Sequence, residues 1–209
     1  MVPPGLRGAE WVLLSAVGLG GLIGYLLLWQ TVEPGFTEYW GYMIGQLGVL
    51  LAGLLVLHAC FRRQGGLAWY THLMVTGTAW VDTLGNAGHL YERYSSYDKI
   101  THFGAGIAIT AGAADLLRAL GERGLLDTTL AWQLAAAVTI TLVLNVGWET
   151  YEYLGDSFFG STRHQGALDT IYDFVSDIAG ALVAVLLVVR AQRRPVAADR
   201  QVVLEPTRA

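Results

Sequence analysis

The chain has 209 residues, of which 54% are hydrophobic and only 14% are charged, and its formal net charge is −4. This composition is typical of a membrane protein and argues against a nucleic-acid-binding protein, because no basic stripe is present. The single cysteine, Cys60, excludes a disulfide bond within the chain.

Six apolar segments each approach the length of about 20 residues that a helix needs to cross a bilayer. They cover residues 11–30, 39–61, 67–89, 99–120, 129–153 and 168–190. We therefore predict an all-α membrane protein in which residues 1–192 form a single bundle of six transmembrane helices. The mixed charge and prolines of residues 193–209 predict a disordered cytoplasmic tail.

The first two predicted helices carry the small-xxx-small pairs Gly20/Gly24 and Gly41/Gly45. Such pairs allow helix backbones to approach closely. We expect these glycines at helix contacts inside the bundle. Helices one and two should then be apolar scaffolding, while helices three to six form a polar core.

The placement of Lys and Arg predicts the orientation of the bundle. Ten of these residues lie in the N-terminal segment, the 62–66 and 118–128 turns and the C-terminal part, and three lie on the opposite side. Cytoplasmic loops carry the excess of basic residues. Both termini are therefore expected in the cytoplasm.

Polar residues gather at the outer end of the third helix and at the outer start of the fourth. Asp82, Asn86 and His89 recur at i, i+4 and i+7, and they are followed by a short polar loop at 91–97. Asp98 and His102 are one helical turn apart, on one face. Helix capping accounts for an aspartate at position 98, but it leaves His102 without a role.

The last two helices carry acidic stripes, because successive helical residues turn by roughly 100°. One stripe, about 60° wide, consists of Asn145, Glu149, Glu152 and Asp156. The other, about 80° wide, consists of Asp169, Asp173 and Asp177. Carboxylates are costly at membrane depth, so paired stripes predict a functional site, and the glycine-containing 155–168 loop is expected to cover it.

The six-span topology places all of these polar segments at the outer end of the bundle. We expect six side chains to converge there on one cavity open to the outer surface, with Asp177 deepest. They are Asp98, His102, Glu149, Glu152, Asp169 and Asp173.

Three motifs carry a resemblance to a known family. They are Tyr97-Asp98-Lys99-x-x-His102-Phe103, Glu149-x-x-Glu152, and Asp169-Thr170-x-x-Asp173 followed by Gly180. In order and spacing they resemble the YjdF-like family of prokaryotic inner-membrane proteins of unknown function, from about Tyr91 to Val185. The first three helices match that family only in hydropathy, and Tyr153-Leu154 departs from its aromatic pair.

The Asp-Lys-x-x-His-Phe start and the later acidic helix ending in glycine also resemble the VanZ-like membrane proteins, known for glycopeptide-antibiotic resistance. The YjdF-like resemblance implies a multi-pass protein of the prokaryotic inner membrane. It also implies that Asp98, His102, Glu149, Glu152, Asp169 and Asp173 are the functional residues. The VanZ-like resemblance implies an envelope lipid or cell-wall precursor as a lipid-linked substrate.

A divalent-cation site is the first functional hypothesis. Oxygen ligands suit Mg²⁺, Mn²⁺ or Ca²⁺, and a histidine ligand widens the choice to Zn²⁺ or Fe²⁺. The metal would sit among His102, Glu149, Glu152, Asp169 and Asp173, with Asp82, His89 and Asp177 as further candidate ligands. Such a metal would activate water or polarise a phosphoester.

Two other hypotheses stay open at the level of sequence. Asp and His chains at membrane depth also mark ion or proton pathways, so a transporter of protons or small solutes fits the pattern. A buried structural network fits as well, in which Lys99, Arg93 and Arg163 neutralise the acids.

Overall fold

The computed structural model describes residues 8–32, 37–61, 67–159 and 166–192. Every regular element in these ranges is a helix. The helices are α1 (Gly8–Val32), α2 (Thr37–Phe61), α3 (Trp69–Ala87), α4 (Leu90–Arg93), α5 (Tyr97–Glu122), α6 (Leu130–Phe159) and α7 (Ala167–Gln192). The all-α prediction is thus confirmed for the described residues, while the tail at 193–209 lies outside them.

Helix α5 is the centre of the bundle, and α3, α6 and α7 all pack against it, whereas α1 packs against α2 and α3. Contacts along the helices give their directions. Thr110 meets Thr141 and Gly121 faces Gln133, so α6 is antiparallel to α5. Helix α7 is parallel to α5, so the starts of both lie at the same end of the bundle as the end of α6.

The apolar core is divided between the two halves of the bundle. Leucines of α1, including Leu19 and Leu22, pack with Met43 and Leu47 of α2. A second cluster joins Tyr70 of α3 with mostly small residues of α5, α6 and α7, among them Ala137. Within the described residues the buried polar side chains lie on α3, α5, α6 and α7, with Ser15 of α1 as an addition, which confirms the division into scaffold and polar core.

Helices α5 and α7 touch through two glycines. A Cβ atom at Gly106 would overlap the carbonyl group of Asp177, and one at Gly180 would overlap the carbonyl oxygen of Phe103. The two backbones therefore approach more closely than any side chain at these positions would permit. This contact brings the polar residues at the starts of α5 and α7 into range of one another.

Five described segments are long and apolar enough to cross a membrane: Glu10–Thr31, Met43–Phe61, Tyr97–Glu122, Leu130–Phe158 and Ala167–Gln192. The predicted span 67–89 corresponds to α3, which is not among them. This helix buries the polar residues Thr71, His72 and Thr83 against its neighbours, and these lower its hydropathy. The count of six spans is therefore not confirmed.

The glycine prediction for α1 and α2 is wrong. A Cβ atom added at Gly20, Gly24 or Gly45 would meet none of the described residues within 4 Å, because these positions face away from the neighbouring helices. The packed stripes of the two helices are the leucine and methionine positions instead. Gly41 lies outside the residues whose side chains are described.

The connections at the polar end also differ from the predicted loops. Helix α3 ends at Ala87, and His89 adopts a left-handed backbone conformation with φ of 54° before the short helix α4. The predicted loop 91–97 thus contains part of a helical turn. Helix α6 continues to Phe159, so the predicted loop at 155–168 is shorter, and its central residues 160–165 lie outside the described ranges.

Candidate functional site

The candidate site lies at the start of α5, where Asp98 and His102 share one helix face. The hydroxyl group of Thr101 donates a hydrogen bond to the backbone carbonyl of Asp98 at 2.7 Å, within the first turn. His102 lies one turn deeper and is buried. The helical spacing therefore sets the histidine below the aspartate, as the sequence predicts.

The two ring nitrogens of His102 have different surroundings. Nδ1 lies 3.1 Å from Oδ2 of Asp177, within hydrogen-bonding distance. Nε2 faces three carboxylate oxygens, from Asp98 at 3.7 Å, Asp173 at 3.8 Å and Glu149 at 3.9 Å. These three distances are too long for hydrogen bonds, so the oxygens surround Nε2 without contacting it directly.

Glu149 reaches this group from α6. Its Oε2 accepts a hydrogen bond from the hydroxyl group of Thr170 at 2.8 Å, which fixes the orientation of the carboxylate. Its Oε1 is buried, has no hydrogen-bond partner among the described residues, and is the atom that faces His102. A buried carboxylate oxygen without a partner is costly, so this atom is poised for a ligand.

Lys99 lies on the outer side of the same group. Its ammonium nitrogen is 2.5 Å from Oδ1 of Asp169, 2.7 Å from Oδ1 of Asp173 and 3.1 Å from Oδ2 of Asp98. The three carboxylates come from the starts of α5 and α7, which the glycine contact holds together. Asp98 and Asp169 lie in the first turns, and Asp173 lies one turn further along α7. The lysine thus joins the starts of the two helices.

Burial increases steadily through the cluster. The side chains of Asp98, Lys99 and Asp169 are 26%, 21% and 19% exposed, while those of Asp173 and Asp177 are 2% and 1% exposed. The cluster therefore opens towards the start of α5 and α7 and closes at Asp177, which is the deepest member as expected.

The predicted residues fall into three groups. Asp98, His102, Glu149 and Asp173 are brought together around His102 Nε2, and we call these four side chains the donor set. Asp169 and Asp177 flank this set through Lys99 and through His102 Nδ1 respectively. Glu152 is half-buried one turn beyond Glu149.

Asp82 and His89 are not part of the donor set. Asp82 accepts hydrogen bonds from Asn86 at 3.0 Å and from the hydroxyl group of Tyr91 at 2.7 Å. Burial, assisted by the Asp82 charge, raises the pKa of Tyr91 well above its usual range. His89 pairs with Glu92 at 3.0 Å, because the left-handed turn takes it off the face that it would share with Asp82 in a continuous helix.

Sequence reasoning missed one contributor to the site and one buried carboxylate outside it. Thr170, which orients Glu149, is recognisable only as the residue after Asp169 in a family motif. Asp115, towards the other end of α5, is fully buried; it pairs with Arg118 and also accepts hydrogen bonds from the Ala68 backbone at 2.6 Å and from Thr71 at 3.1 Å. In the sequence, the small residues one helical turn from Asp115 are the signal that this face of the helix is packed and that Asp115 is buried.

Three members of the donor set, Asp98, His102 and Asp173, lie close enough together to hold a metal ion. Ligand atoms about 2.1 Å from a metal lie about 3.0 to 3.4 Å apart in octahedral or tetrahedral coordination. One ligand atom each from Asp98, His102 and Asp173 lie within 4.8 Å of one another. A small contraction around an ion would therefore bring these atoms to coordinating distances.

No curated protein and no solved structure matches the chain. The similarity to VanZ-like proteins is accordingly not shown. A family of membrane proteins does match, and the YjdF-like resemblance is consistent with it. The model of that family, described as "Predicted membrane protein (DUF2238)", covers residues 16–194, and the chain therefore belongs to this family.

Proposed function

We propose that this multi-pass membrane protein binds a divalent metal ion through Asp98, His102, Glu149 and Asp173. The observation that carries the proposal is the orientation of His102. Its Nδ1 is engaged by Asp177, while its Nε2 points at three carboxylate oxygens that it does not contact. Histidines that bind metals usually direct their other ring nitrogen to a carboxylate in this manner.

Two of the three carboxylates of the donor set have a second partner that supports this role. Asp98 directs Oδ1 towards His102 and Oδ2 towards Lys99. Glu149 directs Oε1 towards His102 and holds Oε2 on Thr170. Such outer contacts orient ligands before a metal arrives, and a coincidental acidic patch would not require them.

The charge balance also favours a cation. Among the described residues, two bases, Lys99 and His102, face the carboxylates of the cluster. These carboxylates number five: Asp98, Glu149, Asp169, Asp173 and Asp177. Like charges this close raise one another's energy unless a cation or shared protons offset them.

The mixed nitrogen and oxygen ligands narrow the choice of metal. Imidazole suits Zn²⁺ and Fe²⁺, carboxylates suit Mn²⁺ and Mg²⁺, and Ca²⁺ prefers six to eight oxygen ligands. We therefore place Zn²⁺ and Mn²⁺ ahead of Mg²⁺ and Ca²⁺. At this partly open site the ion would activate water or polarise a phosphoester oxygen, as hydrolysis of a lipid-linked substrate requires.

The positive-inside count supports a bundle of six spans with both termini in the cytoplasm and the metal site facing outward. In that topology α3 is a sixth span, made less apolar by the side chains that it buries against α1 and α5. The resemblance to YjdF-like proteins supports the inner membrane of a prokaryotic cell as the location.

Elemental analysis of the detergent-purified protein tests the proposal. After incubation with Zn²⁺ or Mn²⁺ and removal of free metal, the wild type should retain about one ion per chain. The double variant Glu149→Gln/Asp173→Asn should lose it. Glu122→Gln is the matched control, since this carboxylate pairs with Arg118 at the opposite end of α5. A wild type that retains no more metal than the double variant would refute the site.

A structural ion network is the second candidate, because Lys99 already contacts three carboxylates. Thermal unfolding of Asp173→Asn separates the two candidates. At a metal site, the variant should lose the stabilisation that added Zn²⁺ or Mn²⁺ gives the wild type, since bound metal stabilises the folded state. In a structural network, the loss of stability should be the same with metal and with a chelator.

A further inference from the structure

Lys99 occupies a position next to the donor set. Its ammonium nitrogen is 2.7 Å from Oδ1 of Asp173, the same oxygen that lies 3.8 Å from His102 Nε2. It is also 3.1 Å from Asp98, whose other oxygen faces the histidine. Two members of the donor set are thus already engaged by a positive charge.

The choice of residue at this position is informative. Lys99 is the single lysine among thirteen Lys and Arg residues in the chain. An ammonium group is a compact charge with three donors on a flexible stem, whereas the guanidinium group of arginine is a planar fork. Three carboxylates around one nitrogen match the ammonium group, and the stem allows it to withdraw.

We infer that Lys99 is the resident counter-ion of this site and that an incoming divalent ion displaces its ammonium group towards the surface. This inference rests on the metal site proposed above and adds a determinant of its affinity. The side chain is 21% exposed, so it lies on the open side of the cluster and has a route outward.

Electrostatics gives the size of the effect. An ammonium group about 5 Å from a divalent ion repels it enough to change its affinity by more than about tenfold, even at the dielectric constant of bulk water. Removing the charge at position 99 should therefore tighten metal binding. Retaining it as Lys99→Arg should leave the affinity near or below that of the wild type, because the planar group withdraws less readily.

Titration of the purified full-length protein with Zn²⁺ and with Mn²⁺ tests this expectation. We expect Lys99→Met and Lys99→Gln to bind at least tenfold more tightly than the wild type. Without metal both variants should unfold at a lower temperature, because the carboxylates lose their counter-ion. With saturating metal their stability should return to that of the wild type, which a purely structural lysine would not allow.

A second measurement needs no variant, because Lys99 is the single lysine. An amine-reactive acetylating reagent should modify Lys99 slowly in the metal-free protein and at least several-fold faster after Zn²⁺ is added, as mass spectrometry of the modified peptide would report. The N-terminal amine, which lies in a different peptide, serves as the internal control.

The outcomes separate this inference from the metal site itself. If the wild type binds metal, but the neutral variants bind no more tightly and acetylation does not accelerate, Lys99 is a structural residue and the inference is wrong. If neither the wild type nor the neutral variants bind metal, the proposed function fails, and the inference fails with it.

Discussion

Replacing Gly180 with alanine should destabilise the protein and disrupt the candidate site together. The added Cβ atom would overlap the carbonyl oxygen of Phe103 and lie 3.0 Å from the backbone nitrogen of Ile107. Both obstacles are backbone atoms of α5, so no side-chain rotation can relieve the overlap. The alanine side chain therefore fits only if helices α5 and α7 move apart.

The magnitude follows from two opposing effects. Alanine favours an exposed helix over glycine by up to about 1 kcal/mol. Overpacking a close contact costs about 1 to 3 kcal/mol, and here the obstacle is backbone, so we expect the upper part of that range. Separation of the helices would also lengthen the 3.1 Å contact between His102 and Asp177 beyond hydrogen-bonding distance.

The assay is reversible unfolding in detergent, with Gly147→Ala and Gly20→Ala as matched controls. A Cβ atom at either control position would meet no atom within 4 Å in the part of the chain that the structure describes. Both controls should therefore be neutral or slightly stabilising, while Gly180→Ala loses about 2 kcal/mol or more and loses metal binding. Equal stability of all three variants would refute the close approach of α5 and α7.

Three further expectations can be checked independently. Asp177→Asn should weaken metal binding by about 10- to 100-fold in a titration, because the partner of His102 Nδ1 loses its charge; an unchanged affinity would contradict the role of this contact. Asp115→Asn should lower the free energy of unfolding by about 3 kcal/mol, since Arg118 loses a buried partner. That loss of stability should be identical with metal and with a chelator. A loss that depends on metal would contradict the conclusion that Asp115 is separate from the candidate site. Reporter fusions at Arg123 should indicate the cytoplasm and those at Ser95 the outside, whereas the reverse pattern would turn the site to the cytoplasmic face.

The sequence predicted the parts of the site that depend on helical periodicity alone. Asp98 with His102, and Asp169 with Asp173 and Asp177, lie on common faces because the geometry of a regular helix fixes those angles locally. The convergence of the four donor-set side chains was also predictable, because the alternating helix directions bring the acidic ends of the helices together.

Features that depend on which face meets which neighbour could not be derived in this way. The spacing of Gly20 and Gly24 is compatible with a helix face that packs against a neighbour and with one that does not. In the structure, leucines form the contact between α1 and α2. The path of His89 depends on one left-handed residue after α3. The bridging position of Lys99 depends on the distance between α5 and α7, which Gly106 and Gly180 set.

The polar character of α3 has a consequence for biogenesis. Its buried Thr71 meets Asp115 and its Thr78 donates to the Gly104 carbonyl, so its polar groups find partners on α5. A helix that hides polar groups inside a bundle enters lipid at a higher cost when it emerges from the ribosome alone. We therefore expect α3 to be retained in the bilayer only once α5 has been synthesised, so that chains truncated before residue 97 leave α3 at the membrane surface. The two helices would then insert as a cooperative unit, and the site would form with that event.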